Sequence, residues 1–164
     1  MRNAQYWINH LNLLPHLEGG YFNEVYRSGE EITKESLPDR YLGNRPFSTS
    51  IYFLLEKSNF SAFHRIKSDE TWHFYDGDPV SIYVIDDKGK LVNYKLGLSP
   101  DTGIMPQVTI PANNWFASES SGNFSLVGCT VSPGFDFDDF EIANRNTLIS
   151  QHSEHQKIIE QFTR

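Results

Sequence analysis

What the chain has little of narrows it first. A single cysteine, Cys129, among 164 residues excludes an intrachain disulfide, and its setting in Ser125-Leu126-Val127-Gly128-Cys129-Thr130-Val131 marks a buried thiol rather than a nucleophile. Positive charge is short, with 14 Lys and Arg against 21 Asp and Glu. The resulting net charge of -7 speaks against a nucleic-acid or anionic-membrane surface, since both need clustered cations. No apolar run approaches the roughly 20 residues of a membrane-spanning helix. Met1-Arg2-Asn3 leads into an amphipathic segment rather than a signal-peptide core. A phosphate-binding Gly-rich loop, a Ser-His-Asp arrangement and a CxxC pair are missing too. The expectation is a cytoplasmic protein without nucleic-acid or membrane partners, of one domain over 1–164 by its length.

What is abundant is aromatic: 12 Phe, 8 Tyr and 3 Trp, residues that suit twisted sheets with broad faces to fill. Strand signals run over Tyr21–Arg27, Phe47–Leu55, Ala62–Lys67, Glu70–Tyr75, Val80–Asp86, Leu91–Leu96, Met105–Ile110, Asn114–Ser118 and Phe124–Val131, most of them separated by turn residues. Many short strands with such turns imply an all-β sandwich or small barrel. In the first strand Tyr21, Asn23, Val25 and Arg27 share one face and Phe22, Glu24 and Tyr26 the other, which leaves the buried side open. Asn3 caps a short helix carrying Trp7, Leu11 and Leu14, expected as a lid or flap. Ser153 and Gln156 form a capping-box pattern before a closing helix with Ile158, Ile159 and Phe162 on its apolar edge. These signals divide the domain into an N-terminal helix and flap (1–46, with 29–46 a surface excursion), a β-barrel core (47–133), and a C-terminal extension and helix (134–164).

In Ala62-Phe63-His64-Arg65-Ile66-Lys67-Ser68-Asp69-Glu70 through Trp72-His73-Phe74-Tyr75-Asp76-Gly77, the residues His64, Glu70 and Gly77 resemble the first metal-binding motif of the cupin superfamily. Ile66 stands at the place of its second His. The second motif is similar to Pro111-Ala112-Asn113-Asn114-Trp115-Phe116, with Phe116 at the position of its last ligand. Pro15-His16-Leu17-Glu18-Gly19-Gly20-Tyr21-Phe22 and Val131-Ser132-Pro133-Gly134-Phe135 extend the likeness to a subfamily called the fifth cupin family, from which Leu17 departs where Pro is common. The resemblance implies a double-stranded β-helix jelly roll, a homodimer, and a cavity similar to that of metal-free sugar-nucleotide epimerases.

Two of the four family ligand positions being hydrocarbon, no metal and no cofactor are expected, because a metal site needs about three protein ligands. Reaching three through His64, Glu70 and His73 would require a bulge near Thr71, since His73 otherwise shares a face with Thr71 and Tyr75. His64 fits either a core imidazole with one backbone hydrogen bond or a general base. A buried Glu70 must be paired or protonated. Tyr52 and Tyr75 flank the motif as proton donors or as sheet anchors. Glu18, at the cavity mouth by the resemblance, joins Arg27, Glu70, His73, Gln107 and Trp115 as ligand-binding candidates. His10, His16, His152 and His155 read as ordinary surface residues. The functional expectation is a small polar organic ligand, a sugar or nucleotide derivative, isomerised or epimerised without metal by His64 with Tyr52 or Tyr75. The alternatives are a binder without chemistry and a metal enzyme.

Overall fold

The computed structural model describes residues 2–164. Its strands are β1 (Leu14–Pro15), β2 (Tyr21–Arg27), β3 (Glu31–Ile32), β4 (Arg45–Pro46), β5 (Thr49–Glu56), β6 (Phe60–Arg65), β7 (Asp69–Gly77), β8 (Val80–Ile85), β9 (Leu91–Leu96), β10 (Gln107–Ile110), β11 (Trp115–Ser120), β12 (Phe124–Ser132) and β13 (Glu141–Ile142). Three short helices join them: α1 (Ala4–His10), α2 (Arg145–Gln151) and α3 (Gln156–Gln161). One sheet runs β1-β2-β5-β12-β7-β10, the other β13-β6-β11-β8-β9, and β3 pairs with β4. The two large sheets form the jelly roll expected.

Alternation along each strand decides what fills the space between the sheets. From the first sheet Phe53, Leu55, Trp72, Ile110, Val127 and Cys129 point inward, and from the second Val80, Ile82, Val84, Leu96 and Phe116 meet them in one core. Their alternate neighbours serve the outer faces. Leu54 and Leu126 pack under α1 together with Trp7 and Leu13. Phe63, Trp115 and Ala117 pack under α2 and α3 with Leu148, Ile159 and Phe162. A chain covered on both sheet faces has strands that read as near-continuous burial, as in Phe124–Val131, where all but Thr130 are buried.

Four expectations change. Helix α1, capped by the Asn3 side chain at Tyr6 N, is not a lid: it lies on the outside of the six-stranded sheet, and Leu14 is exposed. A second C-terminal helix, α2, is capped by Asn144. Ser153 caps nothing, because a 3-10 turn over Ser153–His155 precedes α3. The segment 29–46 is only partly a surface excursion: Tyr41 and Arg45 are buried, with the Tyr41 hydroxyl donating to Lys67 O. No helix among the described residues is long and apolar enough to cross a membrane.

Candidate functional site

One end of the barrel is left open as a cavity of about 80 Å³. Following β12 from Val127 to Cys129 to Val131, or β7 from Trp72 to Glu70, the inward positions pass from packed core into cavity wall. Two β-bulges set which residues arrive there. In β6, His64 lies opposite Phe116 and Ser61 opposite Ser118, so three steps on β6 match two on β11. In β2, Glu24 faces Ile51 while Tyr26 faces Ser50, so one extra residue is accommodated at Val25. A bulge re-aims the residues beyond it. Ser61 and His64 both reach Glu18, and Phe22, Glu24 and Arg27 all line the cavity, despite an odd spacing between the last two.

Glu18 is the hub. Its loop doubles back tightly, with Gly19 N–H donating to His16 O at 3.1 Å. Gly19 and Gly20 both have positive φ, 111° and 73°, and a Cβ on Gly19 would collide with the Phe60 carbonyl. The loop is tied to β6 by Ala62 N–H donating to Glu18 O at 2.8 Å. The buried carboxyl accepts from Ser61 Oγ at 3.0 Å through Oε1. Its Oε2 lies 3.2 Å from His64 Nε2 and 3.5 Å from His16 Nδ1.

Proton positions follow from the partners. His64 Nδ1 is 2.8 Å from the Ala62 carbonyl, which can only accept, so Nδ1 carries hydrogen and neutral His64 turns a lone pair on Glu18. His16 Nδ1 accepts from Glu18 N–H at 3.4 Å and likewise offers a lone pair. Burial lowers the pKa of both imidazoles, and burial raises Glu18 to about 7 against the opposing pull of His16, Ser61 and Arg164. Up to about that pH the proton belongs on Glu18 Oε2, shared toward His64.

Glu70 is different in kind. It is only 8 % exposed and lines the cavity, yet accepts no hydrogen bond of good geometry from the described residues. Burial raises it to about 7; His64 pulls it down, the Glu18 charge pushes it up, and hydrogen-bond contacts from the Cys129 thiol and the Trp72 indole pull it down. Trp72 Nε1 finds no partner at hydrogen-bonding geometry, so that contact is too poor to count as satisfying either group. The neighbouring Cys129 thiol is pushed well up by burial and by Glu70. It remains a thiol.

Aromatic rings roof the chamber. After Pro133 the chain places Phe135, Phe137 and Phe140 along the cavity, Phe140 stacked on His64 with centroids 5.4 Å apart. Asp139 anchors this segment through a buried two-point pair with Arg45, both contacts 2.6 Å, and Lys67 Nζ stands 3.2 Å away. At the mouth Arg27 is taken up by both oxygens of Glu24, at 2.9 and 2.7 Å, and by Phe135 O at 3.0 Å.

Of the candidates read from sequence, the cavity brings together His64, Glu18 and Glu70, with Arg27 at its rim. The others lie elsewhere. Tyr52 and Tyr75 form an edge-to-face pair on the outer face of the six-stranded sheet, centroids 5.9 Å apart, so neither can return a proton inside. His73 also points outward and bonds Thr130 Oγ1 at 3.1 Å; β7 has no bulge at Thr71 to turn it in. Gln107 is exposed opposite His73. Trp115 packs under the C-terminal helices, beneath the Arg65 guanidinium at 4.4 Å. A metal through His64, Glu70 and His73 therefore cannot be assembled, and no cluster of three His, Cys, Asp or Glu able to hold a metal occurs among the described residues. Ile66 lines the cavity and Phe116 packs 4.1 Å from His64, both as hydrocarbon. Sequence reading missed His16, taken for a surface residue. Its spacing two before Glu18, in a segment shared with a family, was the available signal.

A family model described as Cupin superfamily (DUF985) matches residues 5–143. The chain is 31% identical over 148 residues to Uncharacterized protein YML079W of Saccharomyces cerevisiae, covering 84% of this chain and 73% of that protein. It superposes on protein SO0799 from Shewanella oneidensis with TM-score 0.90 and 38% identity, over 100% of this chain and 99% of that one. Oxalate decarboxylase from Bacillus subtilis shares the fold alone, with TM-score 0.55 and 13% identity over 90% of this chain and 36% of its own.

Proposed function

Because the chain belongs to the cupin superfamily, in its DUF985 family, we propose that its barrel is a receptacle for a small organic ligand gripped by Glu70. One observation carries this reading: a nearly buried carboxyl, contacted only by the weakly donating Cys129 thiol and, at poor geometry, by the Trp72 indole, faces the cavity. Leaving a buried polar group unsatisfied costs about 1–3 kcal/mol, a cost a bound polar group would remove. The chamber is small beside drug-sized pockets, which run to about 300–1,000 Å³. It suits a compact molecule or the compact end of a larger one, and a nucleotide's bulk would remain outside the mouth.

A thermal-shift screen of small metabolites, followed by NMR of the indole N–H of Trp72, tests the reading. A ligand that raises Tm and moves that resonance supports it. Silence across neutral, cationic and anionic compounds of suitable size would remove it.

The shared proton favours a second, more specific reading. Glu18 and His64 form a couple able to give and take a proton at one point of the cavity wall, as a metal-independent isomerase or epimerase requires. Deuterium appearing at a ligand carbon in heavy water, and not with His64→Gln, would establish chemistry. An unchanged ligand leaves a binding protein, for which the engagement of both His64 nitrogens speaks.

A further inference from the structure

Which polar group does Glu70 await? The answer rests on the receptacle reading and on a charge inventory of the cavity. The groups facing Glu70 are His64 from β6, Cys129 from β12, and Glu18 and His16 from the loop before β2; Glu24 and Arg27 of β2 stand at the mouth. Arg27 is the sole Lys or Arg among the described lining residues, and Glu24 already holds it at two points. Both imidazoles are neutral by burial. An anionic ligand would meet two carboxyls and no free cation. A polyol would find one acceptor within reach, since Ser61 and His64 hold Glu18, Phe135 N–H holds Thr49 Oγ1 and Glu24 holds Arg27, and its other hydroxyls would be pressed against Phe22, Ile51, Ile66, Val131 and Phe140.

We propose that the cavity selects a small organic cation, an alkylammonium-type group whose N–H bonds meet Glu70 and whose hydrocarbon body fills the aromatic and aliphatic wall. Three features converge on it. The Glu70 carboxyl, held only by a weak thiol donor and a poorly placed indole, supplies a charge-assisted acceptor for an ammonium. The rings of Phe22, Phe135, Phe137 and Phe140 supply π faces, which favour cations where water is excluded. The other polar groups of the wall are already engaged, Glu18 with Ser61 and His64, Thr49 with Phe135 N–H and Arg27 with Glu24, and Ile51, Ile66 and Val131 add hydrocarbon, matching a ligand with one polar head.

Isobutylammonium, isobutanol and isobutyrate share a body and differ in the head, and they are small enough for the chamber. Titrated into the full chain with the Trp72 indole as reporter, the ammonium is expected to bind about tenfold or more tightly than the alcohol at pH 8, with the carboxylate weakest. An alkylammonium stays charged between pH 6 and 8, whereas Glu70 titrates at about 7. Ammonium affinity is therefore expected to fall about tenfold from pH 8 to pH 6 through Glu70, with a further fall through Glu18, which titrates in the same range, and Glu70→Gln should erase the preference and leave only the shallower slope of Glu18. The contrasts are read on the unaltered chain and so survive a poorly folding variant. Alcohol or carboxylate binding as tightly as ammonium, or an ammonium affinity flat with pH, overturns the cation while the receptacle stands. No response to any of the three removes both.

Discussion

The two ends of the barrel interior are built by the same strands and come out opposite. At the closed end Phe53, Trp72, Phe116 and Val127 interlock into core. At the open end Thr49, Glu70, Cys129 and Val131, two or four residues along the same strands, surround empty space. The alternation that packs one end thus also aims the other. Side-chain chemistry and bulge position decide which becomes core and which becomes chamber. What differs energetically is the satisfaction of polar groups: the closed end buries hydrocarbon, the open end two carboxyls whose ionisation burial opposes.

The comparison breaks most severely at the closed end. Trp72→Ala should cost about 3–5 kcal/mol by removing a fully buried aromatic, read as a lower urea midpoint with the same m value. A loss below about 1 kcal/mol would show that the closed end is not the stabilising half.

Next comes the loop that delivers Glu18. Gly19→Ala combines positive φ with a collision at Phe60 O, and about 2 kcal/mol of destabilisation is expected, together with a shifted His64 imidazole NMR signal as Glu18 moves. An unperturbed His64 would separate the glycine from the site.

The pH response sharpens the contrast. Glu18 and Glu70 have folded-state pKa values raised to about 7 from the ordinary carboxyl value of 4.5, so folding takes up protons between those limits. Stability must then fall as pH rises through 7. The lowered imidazoles of His16 and His64 act in the opposite direction, an effect that fades above about 6.5 and offsets part of the loss, which leaves the net decline from pH 6.5 to 8 to the carboxyls. Each contributes a loss of about 1 kcal/mol across that window. Chemical denaturation at half-unit pH steps should show the decline, and Glu70→Gln should remove more than half of it. A profile rising toward pH 8 would contradict the burial of these carboxyls.

The smallest effects belong to the rim and the outer face. Arg27→Ala should change stability by no more than about 0.5–1 kcal/mol, its pair being half in solvent. Tyr75→Phe, outside the barrel, should leave binding of any cavity ligand unchanged in the same titration. A loss there would bring the outer sheet face back into the function.

Sequence reading found the strands because period-two alternation and turn residues are local, and the resemblance to the cupin motifs pointed to Ile66 and Phe116 as hydrocarbon at ligand positions. It placed Tyr75 and His73 on the face opposite Glu70, which the structure shares, yet kept His73 because a bulge was open and Tyr75 as a proton donor flanking the motif. Bulges are where it failed: an extra residue in β2 or β6 is visible only against the partner strand. Arg27 and Glu24 therefore read as opposite-face residues and Ser61 was not considered. His16 and the Phe135–Phe140 roof were missed for a related reason, since loop residues acquire burial only from what folds over them.

Asp139 carries a consequence for kinetics. Its two-point grip on Arg45 welds the ring-bearing segment to a stretch of chain almost a hundred residues earlier, and leaving such a buried charge alone costs about 3–5 kcal/mol. Traffic into the chamber is then expected past Phe137, 59 % exposed, and through the mouth beside Arg27 rather than by detachment of that segment. Residence time should accordingly follow the breadth of a guest more than its affinity.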